Sequence, residues 1–207
     1  MRNRGRISKV GWAMVAVASW VGCGGGAEGA VKRADAEFNP ATAANAFLPI
    51  DELNPAVAQI FTVGFDGRLE EFQLVITDGE SADDGVVRIT VQPAPGGVID
   101  PDPNASLIDP ILVDTSTLPA VLVEEFTTFD IGDEPGRDVL VGDQLALVVE
   151  FVSRATSVDN DAIVRVLGRL TGTYAGGNGA TGALGVAFTN NTDDYFFRTF
   201  VLVSTSN

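Results

Sequence analysis

The side chains that could do chemistry in this 207-residue chain are carboxylates, one thiol and little else. There are 28 Asp and Glu residues, no histidine, and a single cysteine, Cys23. Without histidine, neither a Ser-His-Asp nor a Cys-His catalytic arrangement can be assembled, and structural zinc loses its usual ligands. The acids gather in short polar stretches: Asp78, Glu80, Asp83 and Asp84; Asp100, Asp102 and Asn104; Asp159, Asn160 and Asp161; Asp193 and Asp194. Calcium takes about six to eight oxygen ligands, so carboxylates meeting in one loop could hold it. The alternating oxygens of Asp100, Asp102 and Asn104 make that stretch the expected ligand set, with calcium the one cofactor in view. It is not an EF-hand, since Ala105 stands where glycine is required and Ile111 where glutamate is. The competing expectation is a set of solvated turns. Two carboxylates could also hydrolyse a glycosidic bond. In so acidic a chain almost any pair can be imagined, and none has an activating context, so no enzyme is expected.

The thiol has a clearer setting. Arg2, Arg4, Arg6 and Lys9 precede an apolar run from Val10 to Val21, then Gly22 and Cys23. A basic region, an apolar region and a small residue before the cut describe a secretory signal. The run is too short to span a bilayer, which takes about 20 apolar residues. With cysteine at the cut, Val21-Gly22-Cys23 resembles the lipobox of bacterial lipoproteins, although Trp20 stands where leucine is usual. The resemblance implies that residues 1–22 are removed and that Cys23 carries the lipid. It also implies a place in the bacterial cell envelope. Because Gly24 is not aspartate, that place would be the outer membrane or the cell surface. One acyl chain binds membranes reversibly, so stable anchoring takes more than one; proteins with this pattern carry three. The membrane is thus the expected partner, through the anchor.

From Cys23 onward nine basic residues face all 28 acids, a net charge of −19. Such a surface repels phosphates and releases no counterions, so nucleic acid is excluded as a partner. Anionic lipid headgroups are disfavoured for the same reason. Residues 23–45 are small, mixed and without period, and read as a flexible tether spanning about 25 Å on average. A short Ala-rich helix around residues 42–47 would fit there too.

From residue 46 to 207 the texture is that of one all-β domain. Apolar runs alternate with Gly, Pro, Asp and Asn clusters. The expected strands are 59–63, 68–77, 86–92, 111–115, 121–131, 144–152, 163–170, 183–189 and 195–203. Val87, Ile89 and Val91 alternate with Arg88, Thr90 and Gln92, and Leu145, Leu147, Val149 and Phe151 form a second stripe. Asp66-Gly67 is the strongest hairpin signal. Eight to nine strands of this spacing suit a single antiparallel β-sandwich. The last run is apolar at every second position on both faces, which predicts a central strand covered on both sides. Arg198 lies inside it, and a buried arginine must be paired; the expectation is a structural bond to a core carboxylate. Residues 172–185, with Gly172, Gly176, Gly177, Gly179, Gly182 and Gly185, lack the Gly-Lys-Ser/Thr ending of a phosphate loop. They read as a long surface loop, the usual place for function on a sandwich.

Several segments in order resemble one type of bacterial exported module. They are Ala58-Gln59-Ile60-Phe61-Thr62-Val63-Gly64, Gly67-Arg68-Leu69, the stretch from Val87 to Gly97, Val141 to Val148, Tyr174-Ala175-Gly176-Gly177, and Phe197-Arg198-Thr199-Phe200-Val201. Modules that look like this are jelly-roll β-sandwiches of the galactose-binding-like, carbohydrate-module type. Fold does not fix function on such sandwiches. The resemblance leaves a non-catalytic binding or structural module as the expected role, with a glycan or an envelope protein as its partner. A sugar-binding site usually stacks its ligand on tryptophan or tyrosine. Trp12 and Trp20 both precede Cys23, so only Tyr174 and Tyr195 remain. If a sugar binds, Tyr174 and Asn178 are the residues expected to touch it.

Overall fold

Strand alternation becomes a sandwich once each face finds its cover. The computed structural model of the protein describes residues 29–38, 44–79, 84–120, 123–131, 137–154, 162–171 and 174–205. The strands are β1 (Ala30–Phe38), β2 (Ala46–Ile50), β3 (Ala56–Thr62), β4 (Gly67–Leu74), β5 (Ile76–Asp78), β6 (Gly85–Pro93), β7 (Ile111–Asp114), β8 (Thr127–Asp130), β9 (Asp138–Val139), β10 (Gln144–Arg154), β11 (Val164–Arg169), β12 (Gly179–Ala183), β13 (Ala187–Asn190), β14 (Asp194–Tyr195) and β15 (Phe197–Ser204). The only helical pieces among the described residues are three 3-10 turns. Among the described residues no helix is long and apolar enough to cross a membrane.

Every pairing is antiparallel. One sheet runs β13-β12-β3-β10-β6-β7, a second runs β1-β15-β4-β8 with β9 also on β4, and a third runs β14-β11-β2 with β5 on β11. The second and third sheets share chains. β4 and β5 are interrupted only at Val75, and β14 and β15 only at Phe196. There the Val75 N–H donates to the Phe196 carbonyl (3.2 Å), the Leu167 N–H to the Val75 carbonyl (2.9 Å), and the Phe196 N–H to the Leu167 carbonyl (3.0 Å). Two strands thus change sheets at one hydrogen-bonded corner, which keeps their backbone groups satisfied while the direction turns.

The predicted stripes fill the space between the layers. Val87, Ile89 and Val91 of β6 and Leu145, Leu147 and Val149 of β10 share one core with Leu69 and Phe72 of β4 and Val164 and Val166 of β11. Phe61 of β3 and Phe197 of β15 meet with ring centroids 5.7 Å apart. The outer face of the six-stranded sheet carries a second, small-residue core of Ala56, Ala58, Ile60, Ala146, Val148 and Ala180 with Ile99 and Phe188. The loop after β6 and the β12–β13 hairpin are tied together there by Gly185 N–H to Pro101 carbonyl (2.6 Å) and Asn190 Nδ2 to Gly97 carbonyl (3.0 Å).

Five expectations need correction. Residues 30–38 of the supposed tether are β1, paired along its length with β15 from Ala30–Ser204 to Phe38–Phe197. Ala46 and Phe47 belong to β2, so no helix forms at those two residues. Asp66-Gly67 does not close a hairpin: β3 and β4 lie in different sheets, and the segment carries the chain from one layer to the other. Of residues 121–131 only 127–130 pair as a strand. The glycine-rich stretch supplies β12, which docks on β3 through Gly179–Gln59 and Ala180–Ala58. Ala180 is enclosed in the second core, and a Cβ at Gly179 or Gly182 would lie closer than 3.0 Å to the Asp193 carbonyl oxygen or to that of Ala187.

β15 is central, between β1 and β4, yet only one of its faces is sealed. Phe197, Thr199 and Val201 are buried; Arg198, Phe200 and Leu202 are half-buried on the other side.

Candidate functional site

Arg198 therefore sits on the outer face, with its side chain 31% exposed. Its Nε donates to Glu37 Oε1 at 2.8 Å, and its guanidinium lies 4.2 Å from the centroid of the Phe126 ring. The expected ionic partner exists, but it is a surface glutamate on β1, not a core carboxylate. The enclosed arginines are Arg137 and Arg154 instead. Arg137 is 1% exposed, and Arg154 reaches Glu52 at 3.0 Å from a nearly buried side chain.

Asp100, Asp102 and Asn104 are spent on their own loop. Asp100 Oδ1 accepts from the Asp102 N–H (3.0 Å), and Asp102 Oδ1 accepts from the Asn104 N–H (2.9 Å) and Asn104 Nδ2 (3.0 Å). Asp102 caps the short 3-10 turn that follows it. These are consecutive Asx turns, in which the carboxylate replaces a backbone acceptor. Among the described residues no group of three or more His, Cys, Asp or Glu side chains is placed to hold a metal ion. Glu80, Asp83 and residues 159–161 lie outside the described residues, as does Cys23 with the whole of residues 1–28.

Tyr174 and Asn178 are likewise turned to structural use. The half-buried Tyr174 ring packs edge-on against Phe197, with centroids 5.2 Å apart, and against Phe38 at 6.1 Å. That is a core contact and not an open stacking platform. Asn178 gives its carbonyl to the Ile60 N–H (3.0 Å) and its Nδ2 to the Gly179 carbonyl (3.1 Å). Together they fasten the stretch before β12 onto β3, helped by Thr62 Oγ1 donating to the Gly176 carbonyl (2.7 Å).

A buried polar arrangement lies just beneath. Asp194, 2% exposed, accepts the Tyr174 N–H at 2.9 Å and faces Gln59 Nε2 at 3.5 Å. Gln59 Oε1 accepts the Tyr195 N–H at 2.6 Å, while its Nε2 donates to the Ile60 carbonyl at 2.9 Å. Burial raises the Asp194 pKa against the opposing pull of the Tyr174 N–H and Gln59. Burial also pushes the Tyr195 hydroxyl up to about 12, although Asn191 Nδ2 bonds to it. Asp35, whose Oδ1 accepts the Gly64 and Phe65 N–H groups at 2.8 and 2.9 Å, is raised by burial too. A raised carboxyl can serve acid–base chemistry when it faces a cleft. None of the three clefts described next is lined by Asp194, Asp35 or Tyr195. Sequence reading passed over Gln59, yet a signal was present: one amide inside the apolar run Ala56 to Phe61 must find partners when buried.

Three surface clefts are distinct. One of about 300 Å³ lies between Leu53, Asn54, Pro55, Thr181 and Val186, with no aromatic wall. One of about 260 Å³ is lined by Pro93, Pro95, Leu107, Asp138 and Asp143. A third, of about 160 Å³, lies among Asp84, Asp114, Ser153 and Arg154. Its Asp114 already holds the Ser116 N–H (3.1 Å) and hydroxyl (2.7 Å). In the second cleft Asp143 Oδ2 accepts the Leu140 N–H at 2.8 Å and braces a turn. No protein-family model, curated protein or solved structure matches this chain.

Proposed function

We propose that this chain is a lipid-anchored protein of the bacterial cell envelope, held through an acylated Cys23. Its β-sandwich would act as a binding or structural module and carry out no catalysis. The observation that supports this most is the continuity of the chain near the anchor. The first described residue, Gly29, gives its carbonyl to the Thr205 N–H at 2.8 Å, and β1 follows at once, laddered to β15. Cys23 thus lies six residues from a sheet, so a membrane anchor there would hold the folded body directly. Asp100, Asp102, Asp194, Tyr174 and Asn178 are engaged in the protein's own turns and core, which favours a structural or surface-binding role. Jelly-roll architecture and glycan binding rest on the sequence resemblance, and the packed Tyr174 ring weighs against the sugar contact expected of it.

Metabolic labelling with a palmitate analogue tests the anchor. Label on the wild-type chain that disappears in Cys23→Ser is expected. No label on the wild type, or equal label on both, ends the proposal.

A further inference from the structure

The end of the sandwich beside Gly29 also carries an unusual turn. β9 runs antiparallel to β4, with Gly67 opposite Val139 and Arg68 opposite Asp138. The chain leaves β9 at the same end of the sheet where β1 begins and β15 stops. Leu140 and Val141 follow, 64% and 60% exposed. They are three strand spacings from β1, about 14 Å. The turn that presents them is firmly held. Asp143 N–H donates to the Leu140 carbonyl (3.0 Å), and Gly142, at φ 91°, supplies the positive dihedral. Val141 N–H donates to Asp66 Oδ1 (2.6 Å), Gly142 N–H to the Val63 carbonyl (2.9 Å), and Leu140 N–H to Asp143 Oδ2. Two adjacent aliphatic side chains are thus fixed toward solvent by four hydrogen bonds made around them. Half-exposed Val31 stands at the same end, on β1.

Chain length decides what this end can meet. From Cys23 to Gly29 the chain reaches at most about 22 Å fully extended. β1 itself is about 30 Å long, so an upright body cannot present its opposite end to a surface that holds Cys23. The neighbouring alternative, the outer face of the β1-β15-β4 sheet, is ionic: Lys32 pairs with Glu71, Arg68 with Glu70 and Arg198 with Glu37. Desolvating those pairs against a lipid surface would cost free energy, whereas burying Leu140 and Val141 gains it.

We infer that the Leu140–Val141 turn is a membrane contact that seats the anchored body on the acyl boundary of a zwitterionic bilayer, with β1 and β15 rising away from it. The inference rests on the lipid-anchor reading for its occupant. Asp66, Asp138 and Asp143 surround the turn, so an anionic surface is the wrong partner and zwitterionic headgroups the right one.

The chain from Cys23 onward has no tryptophan, so Leu140→Trp and Val141→Trp place a single indole at the turn. Leu53→Trp places one beyond the other end, ahead of β3. Each variant is coupled through Cys23, the only thiol, to a maleimide lipid in phosphatidylcholine vesicles. Emission at 140 and 141 is expected to move to shorter wavelength and to be quenched by brominated acyl chains, with Leu53→Trp unchanged. Solution-like emission at both turn positions overturns the inference. So does a shift that grows with protein concentration without vesicles, which would make the turn a contact between copies. Because the coupling is synthetic, failure of cellular palmitate labelling ends the anchor reading separately from this geometry.

Discussion

Tyr195 donates its backbone N–H to the side-chain carbonyl of Gln59, 136 residues earlier, at 2.6 Å inside the core. That bond joins β3 of the six-stranded sheet to β14 of the facing layer, and the same amide also serves the Ile60 carbonyl and Asp194. Gln59→Ala would leave a void and at least one buried N–H without an acceptor. Orphaned buried groups cost about 1–3 kcal/mol each, so a total loss of about 2–4 kcal/mol is expected in urea unfolding. A loss under about 1 kcal/mol would mean that the amide is not a cross-layer tie.

Asp194 gives the protein a pH signature of definite sign. Its folded pKa is raised, chiefly by burial, so the folded state holds the proton more tightly than the unfolded chain. The stability this group contributes is complete below its unfolded value and is lost as pH rises through its folded value. Asp194→Asn keeps an oxygen for the Tyr174 N–H and does not titrate. Between about pH 4 and about pH 7 the balance between the two proteins should therefore move in favour of the asparagine variant. Urea melts of both at the two pH values measure it; a shift toward the wild type on raising pH would contradict the burial of this carboxyl.

Arg198 should matter less than a core arginine. It is a half-exposed ion pair with Glu37 and a cation over Phe126. Exposed pairs contribute about 0–1 kcal/mol and an exposed cation–π contact about 0.5–1 kcal/mol. Arg198→Met should cost no more than about 2 kcal/mol in chemical denaturation, well below the roughly 3–5 kcal/mol of a broken buried pair. A loss in that higher range would place the guanidinium in the core after all.

The stripes of β6 and β10 were legible because large aliphatic residues recur at every second position toward the main core, and a period of two follows directly from the pleat. The all-β class follows from the same pattern. Pairing was less legible. Asp66-Gly67 has hairpin chemistry, but local turn preference does not say which sheet the next strand joins, and here the layers compete for it. β1 was hidden for a different reason. Ala30 to Ala34 are exposed, and only Ala36 and Phe38 are buried, so an edge strand resembles a tether in composition. The carboxylate clusters were visible as residue types, but whether an Asp oxygen meets a metal or the N–H two residues on depends on backbone geometry that composition does not carry.

β1 can be separated from a tether by amide exchange. Ala36 N–H donates to the buried Thr199 hydroxyl at 3.0 Å, and the strand is laddered to β15. Slow exchange at Ala36 and at alternate residues of 30–38 is expected, with the protection of Ala36 lowered in Thr199→Val. Uniform exchange at the rate of an unstructured peptide would return residues 30–38 to the status of a linker.

Two glycines test the end of the sandwich in different ways. Gly67 is extended, but a Cβ there would lie 2.7 Å from Val201 Cγ1 and closer still to the Leu202 carbonyl oxygen of the adjacent strand. That carbonyl belongs to the β15 backbone and cannot step aside, so Gly67→Ala forces β4 from β15 at a cost of about 2–3 kcal/mol, typical of overpacking. Gly142 has open space around it and is required only for its dihedral at φ 91°. There alanine costs about 1–2 kcal/mol of backbone strain, and asparagine, which tolerates left-handed geometry, costs less. The expected order of stability in urea is wild type, then Gly142→Asn, Gly142→Ala and last Gly67→Ala. If Gly142→Ala proves the worst of the three while Gly67→Ala unfolds like wild type, β4 and β15 do not approach at Gly67. The row of residues that sets Leu140 and Val141 beside the start of β1 would then have to be redrawn.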